Sequence, residues 1–311
     1  MAEHFVYGPV PSRRLGRSLG VDVVPYKTCS YDCIYCQLGP TKEKTIKRKA
    51  YIPAEKILDQ LYRKLKDLGR VDYITLGGSG EPTLNSEIVT LIHEIKKHTE
   101  IPVAVLTNGS LLRDRQVRES IMEADVILPS LDAHDQKGFE TINRPHPEIN
   151  FKTMVEGLIA FRKEYPGEIW LEIFILEGIN ATEADAVGLR HWIDRLNPEK
   201  VHLNTAVRPP AEASAQQVSD EEMAVFCKSL GDKAEVITTF EDRGKHEKKT
   251  YIEEDLLNLL ARRPCTLDDI SSGLGVHKSK IMKYIKSLIK NHTIAVVKKG
   301  PATYYEKRQK P

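Results

Sequence analysis

The stretch Cys29-Ser30-Tyr31-Asp32-Cys33-Ile34-Tyr35-Cys36 places three of the chain's five cysteines within eight residues. Their spacing is C-x3-C-x2-C, on one short loop that follows a candidate strand at 20–25. Iron–sulfur clusters are held by cysteine thiolates. Three thiolates bind three irons of a 4Fe-4S cluster and leave the fourth iron without a protein ligand. The loop therefore predicts an iron–sulfur site with one open iron, an arrangement suited to a cluster that binds a substrate.

A structural zinc site is the alternative for the same loop. Such a site normally has four protein ligands, and the histidines nearest the loop in sequence are His4 and His93. Cys227 and Cys265 lie far along the chain, where a solitary cysteine is most often a small buried hydrophobe. The sequence therefore favours the iron–sulfur cluster over zinc.

Short apolar runs alternate with helical patterns through about the first 240 residues. The pattern is clearest over 54–68, where Ile57, Leu61 and Leu65 lie on one apolar stripe. This alternation predicts an α/β fold with a parallel sheet, either doubly wound or rolled into a partial barrel. The candidate strands are 20–25, 73–78, 103–107, 126–131, 169–176 and 201–206, and the other candidate helices are 86–98, 112–122, 151–164 and 182–196.

Polar and glycine residues follow these candidate strands. Parallel folds place their chemistry at the carboxyl ends of the strands, so we expect residues in these positions to meet at one edge of the sheet. Each motif alone is typical of an ordinary turn, and their shared position indicates a site. The motifs are Gly77-Gly78-Ser79-Gly80-Glu81-Pro82-Thr83, Thr107-Asn108-Gly109, Ser130-Leu131-Asp132 and Asn204-Thr205, with Arg208 shortly after.

A second pattern occupies the end of the chain. Residues 241–250 are polar throughout, which predicts a linker. The candidate elements after it are three helices, 252–261, 267–272 and 278–290, and two strands, 293–298 and 303–306. Three helices and a two-stranded wing make a winged helix-turn-helix. We therefore predict a core domain over 1–240, a linker over 241–250 and a winged helix-turn-helix domain over 251–311.

The cysteine spacing, with Tyr35 before the last cysteine and a Gly80-Glu81-Pro82 turn after the second strand, resembles the radical SAM superfamily. The resemblance covers about residues 15–210 and implies a partial (βα)6 barrel. It also implies a 4Fe-4S cluster that binds S-adenosylmethionine and, with one electron, cleaves it to a 5′-deoxyadenosyl radical that removes hydrogen from a substrate. An external electron donor of the flavodoxin or ferredoxin type is implied as well.

The resemblance also assigns residues to this cofactor site. It implies that the cluster ligands are Cys29, Cys33 and Cys36. It implies that S-adenosylmethionine is contacted by Tyr35, Ser79, Gly80, Glu81, Asn108, Ser130 and Asp132. Two alternatives stay open, since Asp132 also suits the cap of the next helix and Tyr35 also suits a core position.

Longer phrases indicate a narrower group. They are Tyr7-Gly8-Pro9-Val10-Pro11-Ser12-Arg13-Arg14, Cys36-Gln37-Leu38-Gly39 and Ser79-Gly80-Glu81-Pro82-Thr83-Leu84. Together they look like a group of radical SAM proteins similar to 4-demethylwyosine synthase, the enzyme of wybutosine synthesis in tRNA. That enzyme holds a second cluster with cysteines upstream of the motif, whereas no cysteine precedes Cys29 here. The resemblance therefore implies the radical chemistry, with a tRNA or other RNA nucleobase as a hypothetical substrate.

Basic residues support a polyanionic partner. From Lys278 onward the chain has nine lysines and one arginine against one acid, although its total formal charge is only +2. A helix that exposes lysines can contact nucleic-acid phosphates, although a solvated surface or a protein-docking module would look alike. The basic residues of interest are Arg13, Arg14, Arg17, Lys42, Lys44, Lys47, Arg48, Lys49, Lys280, Lys283, Lys286 and Lys290, with Arg144 and Arg208 as candidates for binding an anionic substrate.

Composition excludes several classes of protein. A chain of 311 residues with 41% hydrophobic and 29% charged residues suits a soluble globular protein of about two domains. No run approaches the ~20 apolar residues that cross a bilayer, and residues 1–14 contain no secretory hydrophobic segment. We therefore expect a cytoplasmic location and no membrane partner.

Two classes of function are compatible with these features. The first is a radical enzyme that modifies an RNA nucleobase with the winged helix as a guide, or that modifies a peptide or small metabolite. The second is an iron–sulfur redox sensor that binds DNA as a regulator. A sensor has no need for Glu81, Asn108 and Asp132 at successive strand ends, so the sequence favours the enzyme.

Overall fold

The computed structural model describes residues 4–237 and 252–308. Its main sheet begins with an antiparallel hairpin of β1 (Val6–Ser12) and β2 (Gly16–Val21). The strand predicted at 20–25 therefore begins and ends earlier than expected. The sequence does not predict β1, because Pro9 and Pro11 lack the N–H groups that an inner strand uses. The structure places β1 at the edge of the sheet, where prolines are tolerated.

Strands and helices alternate after this hairpin, as predicted. The elements are β3 (Thr28–Cys29), β4 (Glu43–Lys44), α1 (Ala54–Asp67), β5 (Tyr73–Leu76), α2 (Ile88–His98), β6 (Val103–Thr107), α3 (Arg115–Glu119), β7 (Val126–Pro129), α4 (Gln136–Ile142), α5 (Phe151–Glu164), β8 (Glu168–Ile175), α6 (Glu183–Leu196), β9 (Lys200–Thr205), α7 (Asp220–Leu230) and β10 (Ala234–Val236). The helix predicted at 112–122 is shorter than expected, because Asp114 caps its first turn. The helices α4 and α7 are additions to the prediction.

The sheet is mostly parallel. Its strand order is β1-β2-β5-β6-β7-β8-β9-β10, and every pair from β2 to β10 is parallel. The two-residue strands β3 and β4 form a separate parallel pair beside the cysteine loop. The predicted α/β class with a parallel sheet is confirmed.

Contacts across the sheet show that it is rolled. In a flat sheet, β1 and β9 would stand roughly 29 Å apart, six strand spacings of about 4.8 Å. Instead, Arg13, in the turn after β1, donates from Nη2 to Oδ1 of Asn204 on β9 at 2.9 Å. Arg14 also pairs with Glu172 on β8. The sheet therefore curls into a partial barrel.

Alternation along the strands separates the outside of this barrel from its interior. Ile127 and Leu171 belong to the large apolar cluster that packs against the helices. Their neighbours in sequence, Leu128 after Ile127 and Trp170 before Leu171, belong to a different apolar cluster on the opposite, inner face of the sheet. Two residues after Trp170, the inward position on β8 is the charged Glu172. The interior is therefore apolar near the amino ends of the strands and becomes polar toward their carboxyl ends.

The described end of the chain contains three helices and a hairpin. They are α8 (Ile252–Leu260), α9 (Leu267–Leu274), α10 (Lys278–Lys290), β11 (Ile294–Lys299) and β12 (Ala302–Lys307), with β11 and β12 antiparallel. We call residues 252–308 the C-terminal unit. Its bounds agree closely with those predicted for the individual elements, and the predicted linker at 241–250 lies outside the described residues.

The C-terminal unit packs against the first strand of the sheet. Val10 of β1 joins the apolar cluster of the unit. A Cβ on Gly273 of α9 would lie 2.7 Å from the Pro11 ring, so the helix and strand approach closely. Beside this contact, the guanidinium of Arg262 pairs with the buried carboxylate of Asp22 at 2.9 Å. The unit therefore covers the β1 edge of the sheet.

Helix length limits what these elements can span. The longest helices in the described ranges have 14 residues, which is about 21 Å at 1.5 Å per residue. None of the described helices combines the length and apolar character needed to cross a bilayer.

Candidate cofactor site

The cysteine loop lies at the carboxyl ends of the parallel strands, as predicted. Cys29 ends β3, and the three loop cysteines are half-buried. The turn after β5 holds this loop through two backbone hydrogen bonds. The Lys27 N–H donates to the Ser79 carbonyl at 2.6 Å, and the Glu81 N–H donates to the Thr28 carbonyl at 3.1 Å. The loop is therefore anchored directly on the β5 end of the barrel.

Each cysteine sulfur lies near one nitrogen donor. The pairs are Asn108 Nδ2 with Cys29 Sγ at 3.6 Å, Asn143 Nδ2 with Cys33 Sγ at 3.5 Å, and Lys27 Nζ with Cys36 Sγ at 3.2 Å. Hydrogen bonds to sulfur and nearby charge are means by which proteins tune iron–sulfur clusters. The three sulfurs thus have the surroundings of ligand sulfurs.

Burial raises the pKa of two of the loop thiols, Cys29 and Cys33. It raises the pKa of Cys29 to about 12, and the neighbouring Glu81 carboxylate adds to this shift. Burial also raises the pKa of Cys33, with the Asp132 carboxylate as the next cause. A nucleophilic cysteine needs its thiolate, whereas a coordinating metal displaces the thiol proton itself. The loop therefore suits metal ligation better than nucleophilic catalysis.

The loop offers cysteine donors, which are the ligands of iron–sulfur clusters. Across residues 4–237 and 252–308, no three His, Cys, Asp or Glu side chains surround a single-ion position. In a 4Fe-4S cluster each thiolate binds a different iron, so its three ligands stand apart. The donor set and its surroundings fit such a cluster.

The turn after β5 depends on a glycine and a buried carboxylate. A Cβ on Gly80 would lie 1.9 Å from the Thr28 carbonyl oxygen, so only glycine lets the turn reach the loop. The Glu81 carboxylate is 2% exposed and accepts hydrogen bonds from the Thr107 hydroxyl at 2.6 Å and the Asn108 N–H at 2.7 Å. The Glu81 side chain therefore ties the ends of β5 and β6 together and does not face a ligand.

Two further predicted residues follow β6 and β7. Asn108 is fixed by hydrogen bonds from its Nδ2 to Ser30 Oγ at 2.8 Å and from the Ser110 N–H to its Oδ1 at 3.0 Å. Ser130 bridges to Glu172 on the neighbouring strand and lines a cavity. The structure thus brings Asn108 to the cysteine loop and Ser130 to the adjacent opening.

Asp132 connects three elements around the site. Its buried carboxylate accepts hydrogen bonds from the Tyr35 hydroxyl at 2.6 Å, Asn143 Nδ2 at 2.7 Å and the Phe174 N–H at 2.8 Å. Burial raises its pKa to about 6, against the effect of these donors. The helix-cap alternative for Asp132 is wrong, because Asp135 caps α4. Asp132 instead links the cysteine loop to β8.

Tyr35 combines a core contact with exposure to the opening. Its ring stacks on Phe174 with centroids 4.0 Å apart and planes 7° apart. It also lines the cavity that contains Cys36 and Asp132. Tyr35 therefore has a core contact, and its contact with a cofactor stays a prediction.

Two cavities flank the cysteine loop. One of about 240 Å³ lies inside the barrel mouth and includes Tyr35, Cys36, Ser130 and Asp132. The other, of about 950 Å³, separates the loop from the C-terminal unit and is lined by several basic residues, Lys42, Lys56, Arg262, Arg263, Lys307 and Arg308. The smaller cavity therefore reaches Tyr35 and Cys36, and the larger one reaches Gln37, Leu38 and Gly39 just after the last cysteine.

The candidate arginines divide into two sets. Arg13, Arg14 and Arg208 line the smaller cavity. Arg144 lies elsewhere and forms an ion pair with Glu212, while Arg17 is buried and donates to the Arg70 carbonyl at 3.2 Å. The first set therefore lies where an anion at the barrel mouth would bind, although Arg14 is paired with Glu172 there.

Sequence reasoning missed several side chains at this site. Asn143 lies between Cys33 and Asp132, and no local motif marks it. Glu172 had a signal, since it is the only charged residue within the apolar run 169–176. Arg263 reaches the mouth from the C-terminal unit and is seen there only in three dimensions.

Comparisons with known proteins agree with this geometry. Residues 23–189 match the family model described as the radical SAM superfamily. A protein of Brachyspira hyodysenteriae named GTPase Obg is 39% identical over 289 residues, which are 92% of this chain and 42% of that protein. A UPF0026 protein of Methanocaldococcus jannaschii is 37% identical over 265 residues, which are 83% of this chain and 82% of that protein. The chain thus spans less than half of the first relative and most of the second.

A solved structure also shares the fold. A structure of TYW1 with a lysine–pyruvate adduct bound matches with a TM-score of 0.52 at 20% identity. The match covers 72% of this chain and 75% of that chain. At this level of identity, the likeness concerns the arrangement of strands and helices.

Proposed function

Because this chain belongs to the radical SAM superfamily, whose enzymes use a 4Fe-4S cluster and S-adenosylmethionine, we propose that Cys29, Cys33 and Cys36 hold that cluster. When bound and reduced, that cluster would supply the one electron that splits the sulfonium C–S bond of S-adenosylmethionine into methionine and a 5′-deoxyadenosyl radical, and the radical would remove a hydrogen atom from a substrate. The proposed electron source is an external carrier of the flavodoxin or ferredoxin type.

One observation carries this proposal: each cysteine sulfur has its own N–H donor, and two of those donors also connect the loop to residues that follow strands of the barrel. Asn108 joins Cys29 to the β6 end, and Asn143 joins Cys33 to Asp132. A loop that only binds zinc does not need these hydrogen bonds between its sulfurs and the barrel mouth.

The surrounding residues position the sulfonium cofactor. The backbone of Ser79, Gly80 and Glu81 forms the close turn beside the loop and meets the methionine amino group. Asn108 and Ser130 supply polar contacts to the methionine moiety. Asp132 would accept from a ribose hydroxyl at Oδ1, which in the described contacts holds only the Phe174 N–H, and Tyr35, oriented by its hydrogen bond to Asp132, would pack against adenine.

We propose an RNA nucleobase as the substrate. The core domain (1–240) carries the radical site, and a winged helix-turn-helix domain (251–311) after the linker (241–250) binds the RNA backbone. Two features support this assignment. Lys280, Lys283, Lys286 and Lys290 of α10 are all exposed, and the 950 Å³ cavity has a basic lining that leads to the cysteine loop. Because phosphate contacts position a nucleic acid without reading its bases, these lysines orient the RNA, and the barrel mouth selects the base.

The chemistry is tested by anaerobic reconstitution with iron and sulfide. We expect a brown protein that, with dithionite and S-adenosylmethionine, forms 5′-deoxyadenosine. The Cys33→Ala variant should lose iron, visible absorbance and product together, whereas Cys227→Ala, which changes a cysteine outside the loop, should keep all three. A colourless wild-type protein that retains zinc would contradict the proposal.

The substrate is tested separately. RNA that copurifies with the full chain under anaerobic conditions is sequenced, then offered to the reduced enzyme. We expect S-adenosylmethionine-dependent change in the mass of one nucleoside. If RNA stays unchanged while a peptide or small metabolite consumes the 5′-deoxyadenosyl radical, the RNA assignment is wrong and the radical chemistry stands.

A further inference from the structure

Four arginines from three separate parts of the chain meet at the smaller cavity. Arg13 and Arg14 lie in the turn between β1 and β2, Arg208 follows β9, and Arg263 lies between α8 and α9. They share this cavity with Asp132 and the cysteine loop. Such a concentration of guanidinium groups lies directly beside the proposed radical site.

Two of these arginines have carboxylate partners. Arg14 pairs with Glu172, and Arg208 Nη2 lies 3.5 Å from Asp269 Oδ1. The pairing of Arg208 is incomplete, because its buried Nε has no hydrogen-bond acceptor within the described part of the chain. One donor of Arg208 is therefore left for another acceptor.

The other two arginines donate only to neutral oxygens in the hydrogen bonds found among residues 4–237 and 252–308, while the Glu172 carboxylate attracts Arg13 and the Asp269 carboxylate attracts Arg263 without a direct ion pair. Arg13 Nη2 donates to the side-chain amide oxygen of Asn204 at 2.9 Å, and Arg263 Nη2 donates to the Pro11 carbonyl at 3.3 Å. Asp132 forms no ion pair with either arginine in this part of the chain, and its carboxylate accepts from Tyr35, Asn143 and Phe174. Burial and the neighbouring Arg208 and Arg14 lower the pKa of Arg13 to about 10. The cavity thus holds more positive charge than its own carboxylates neutralise.

Positive charges held together without counter-ions destabilise a protein, and guanidinium groups are suited to phosphate through paired, charge-assisted hydrogen bonds. We propose that Arg13, Arg208 and Arg263 form a subsite that binds one phosphate group of the substrate and so fixes the attached nucleoside at the barrel mouth. This assignment rests on the proposed function, whose radical site adjoins the subsite. The phosphate belongs either to an internal RNA linkage or to a mononucleotide.

The C-terminal unit builds part of this subsite. It contributes Arg263 itself. Its hairpin also holds the segment before Arg208, because Tyr304 Oη donates to the Val207 carbonyl at 2.7 Å and Lys299 Nζ donates to the Arg208 carbonyl at 3.1 Å. Positioning of the substrate phosphate therefore depends on contact between the unit and the barrel.

Arginine labelling of the full-length wild-type protein tests the subsite. The protein is treated with phenylglyoxal in inorganic phosphate or in chloride of equal ionic strength, and modified arginines are mapped by mass spectrometry. We expect phosphate to slow modification of Arg13, Arg208 and Arg263 and to leave Arg115, whose side chain is 79% exposed, unaffected. Equal rates in both salts, or equal protection of Arg115, would overturn the proposal.

A variant tests whether the arginines act together. In Arg263→Gln, the phosphate concentration that half-protects Arg13 should rise roughly tenfold, the effect of losing one charged hydrogen bond of about 1.5 kcal/mol. Arg115→Gln is the matched control and should leave that concentration unchanged. An Arg263→Gln curve that superimposes on the wild-type curve would remove Arg263 from the subsite.

The same labelling distinguishes the two sources of phosphate. Protection by uridine 5′-monophosphate but not by uridine indicates that a mononucleotide is sufficient. Protection by a single-stranded RNA oligonucleotide alone indicates an internal linkage, and protection by none of these probes overturns the assignment to substrate. Because labelling does not require turnover, this failure is distinguishable from failure to form 5′-deoxyadenosine, which would overturn the radical chemistry itself.

Discussion

Among the three donors beside the cysteine sulfurs, one carries a full charge. Lys27 is 3% exposed, and its ammonium lies 3.2 Å from Cys36 Sγ. The other two donors are neutral side-chain amides. Because a reduced cluster has one more negative charge than an oxidised cluster, a fixed cation at this distance stabilises the reduced form.

Replacement of this cation should shift the reduction potential. We expect Lys27→Gln to make the midpoint potential of the reconstituted cluster more negative, because net charge near the sulfurs is one determinant of that potential. The measurement is a redox titration followed by electron paramagnetic resonance. Lys42→Gln is the control, since Lys42 is exposed and lies over the Tyr26 ring. Equal potentials in wild type and Lys27→Gln would show that the ammonium does not act on the cluster.

A buried histidine gives the fold a pH dependence. His202 on β9 is 3% exposed, and burial, followed by the charge of Arg14, lowers its pKa below 6.5. The unfolded chain therefore binds a proton that the folded chain does not bind as pH falls below about 6.5. The stability that neutral, buried His202 contributes to the wild-type protein is fully present above that pH. It is lost as the pH falls toward the pKa of His202 in the folded protein.

The comparison of two glutamine variants isolates this contribution. We expect the free energy of unfolding, measured by urea denaturation between pH 7.5 and pH 5, to fall less in His202→Gln than in wild type. His93→Gln, which changes a histidine with a 58% exposed side chain, should follow the wild-type curve. Parallel curves for all three proteins would contradict a lowered pKa at His202.

At the scale of elements, the turn after β5 determines where the cysteine loop lies. We expect Gly80→Ala to destabilise the protein by about 1–3 kcal/mol, because the new methyl group displaces the Thr28 backbone and overpacking has this typical cost. Cluster retention should fall as well, since Cys29 adjoins Thr28. Gly69→Ala is the control, because a Cβ there meets nothing within 4 Å. Urea denaturation and iron analysis measure both effects, and a fully stable Gly80→Ala protein would contradict the close approach.

The sequence predicted most elements of the barrel because their apolar periodicity was strong. β6 (Val103–Thr107) and α5 (Phe151–Glu164) have the predicted bounds. β1 escaped prediction because its prolines are compatible with a strand only at an edge, a position set by the rest of the sheet. α7 escaped because its apolar stripe is short, although Ser219 and Glu222 form a capping box that marks its start.

The residues of the candidate site were predictable where they directly follow strands. They were not predictable where packing brings them to the site from another part of the chain. The strand-end rule placed Asn108, Ser130 and Asp132 near the loop. It could not find Asn143 or Arg263, because each reaches the site from an element whose direction is fixed only by packing. On α10, the spacing of Ile281, Ile285, Leu288 and Ile289 predicts a buried apolar stripe; the structure buries the first three and leaves Ile289 36% exposed.

At the scale of the molecule, the proposed function requires that basic groups on α10 and at the barrel mouth contact the same RNA. We expect a triple variant, Lys280→Gln, Lys283→Gln and Lys286→Gln, to bind single-stranded RNA more weakly and with less salt dependence. Each lost phosphate contact lowers the slope of log affinity against log salt by about 0.7. Lys66→Gln with Lys97→Gln, on the barrel helices, is the control. Fluorescence anisotropy across a salt series measures the slopes, and an unchanged slope in the triple variant would exclude α10 from RNA contact.

The position of the C-terminal unit along β1 has a second consequence. An outer strand has unused backbone N–H and C=O groups that recruit strands from other molecules, and here α8 and α9 pack along that strand. During synthesis, the barrel strands emerge from the ribosome before this cover exists. A truncated protein ending at residue 237 should expose Val10 and Pro11, which the unit now covers, and we expect size-exclusion chromatography to show that it self-associates more than the full chain does.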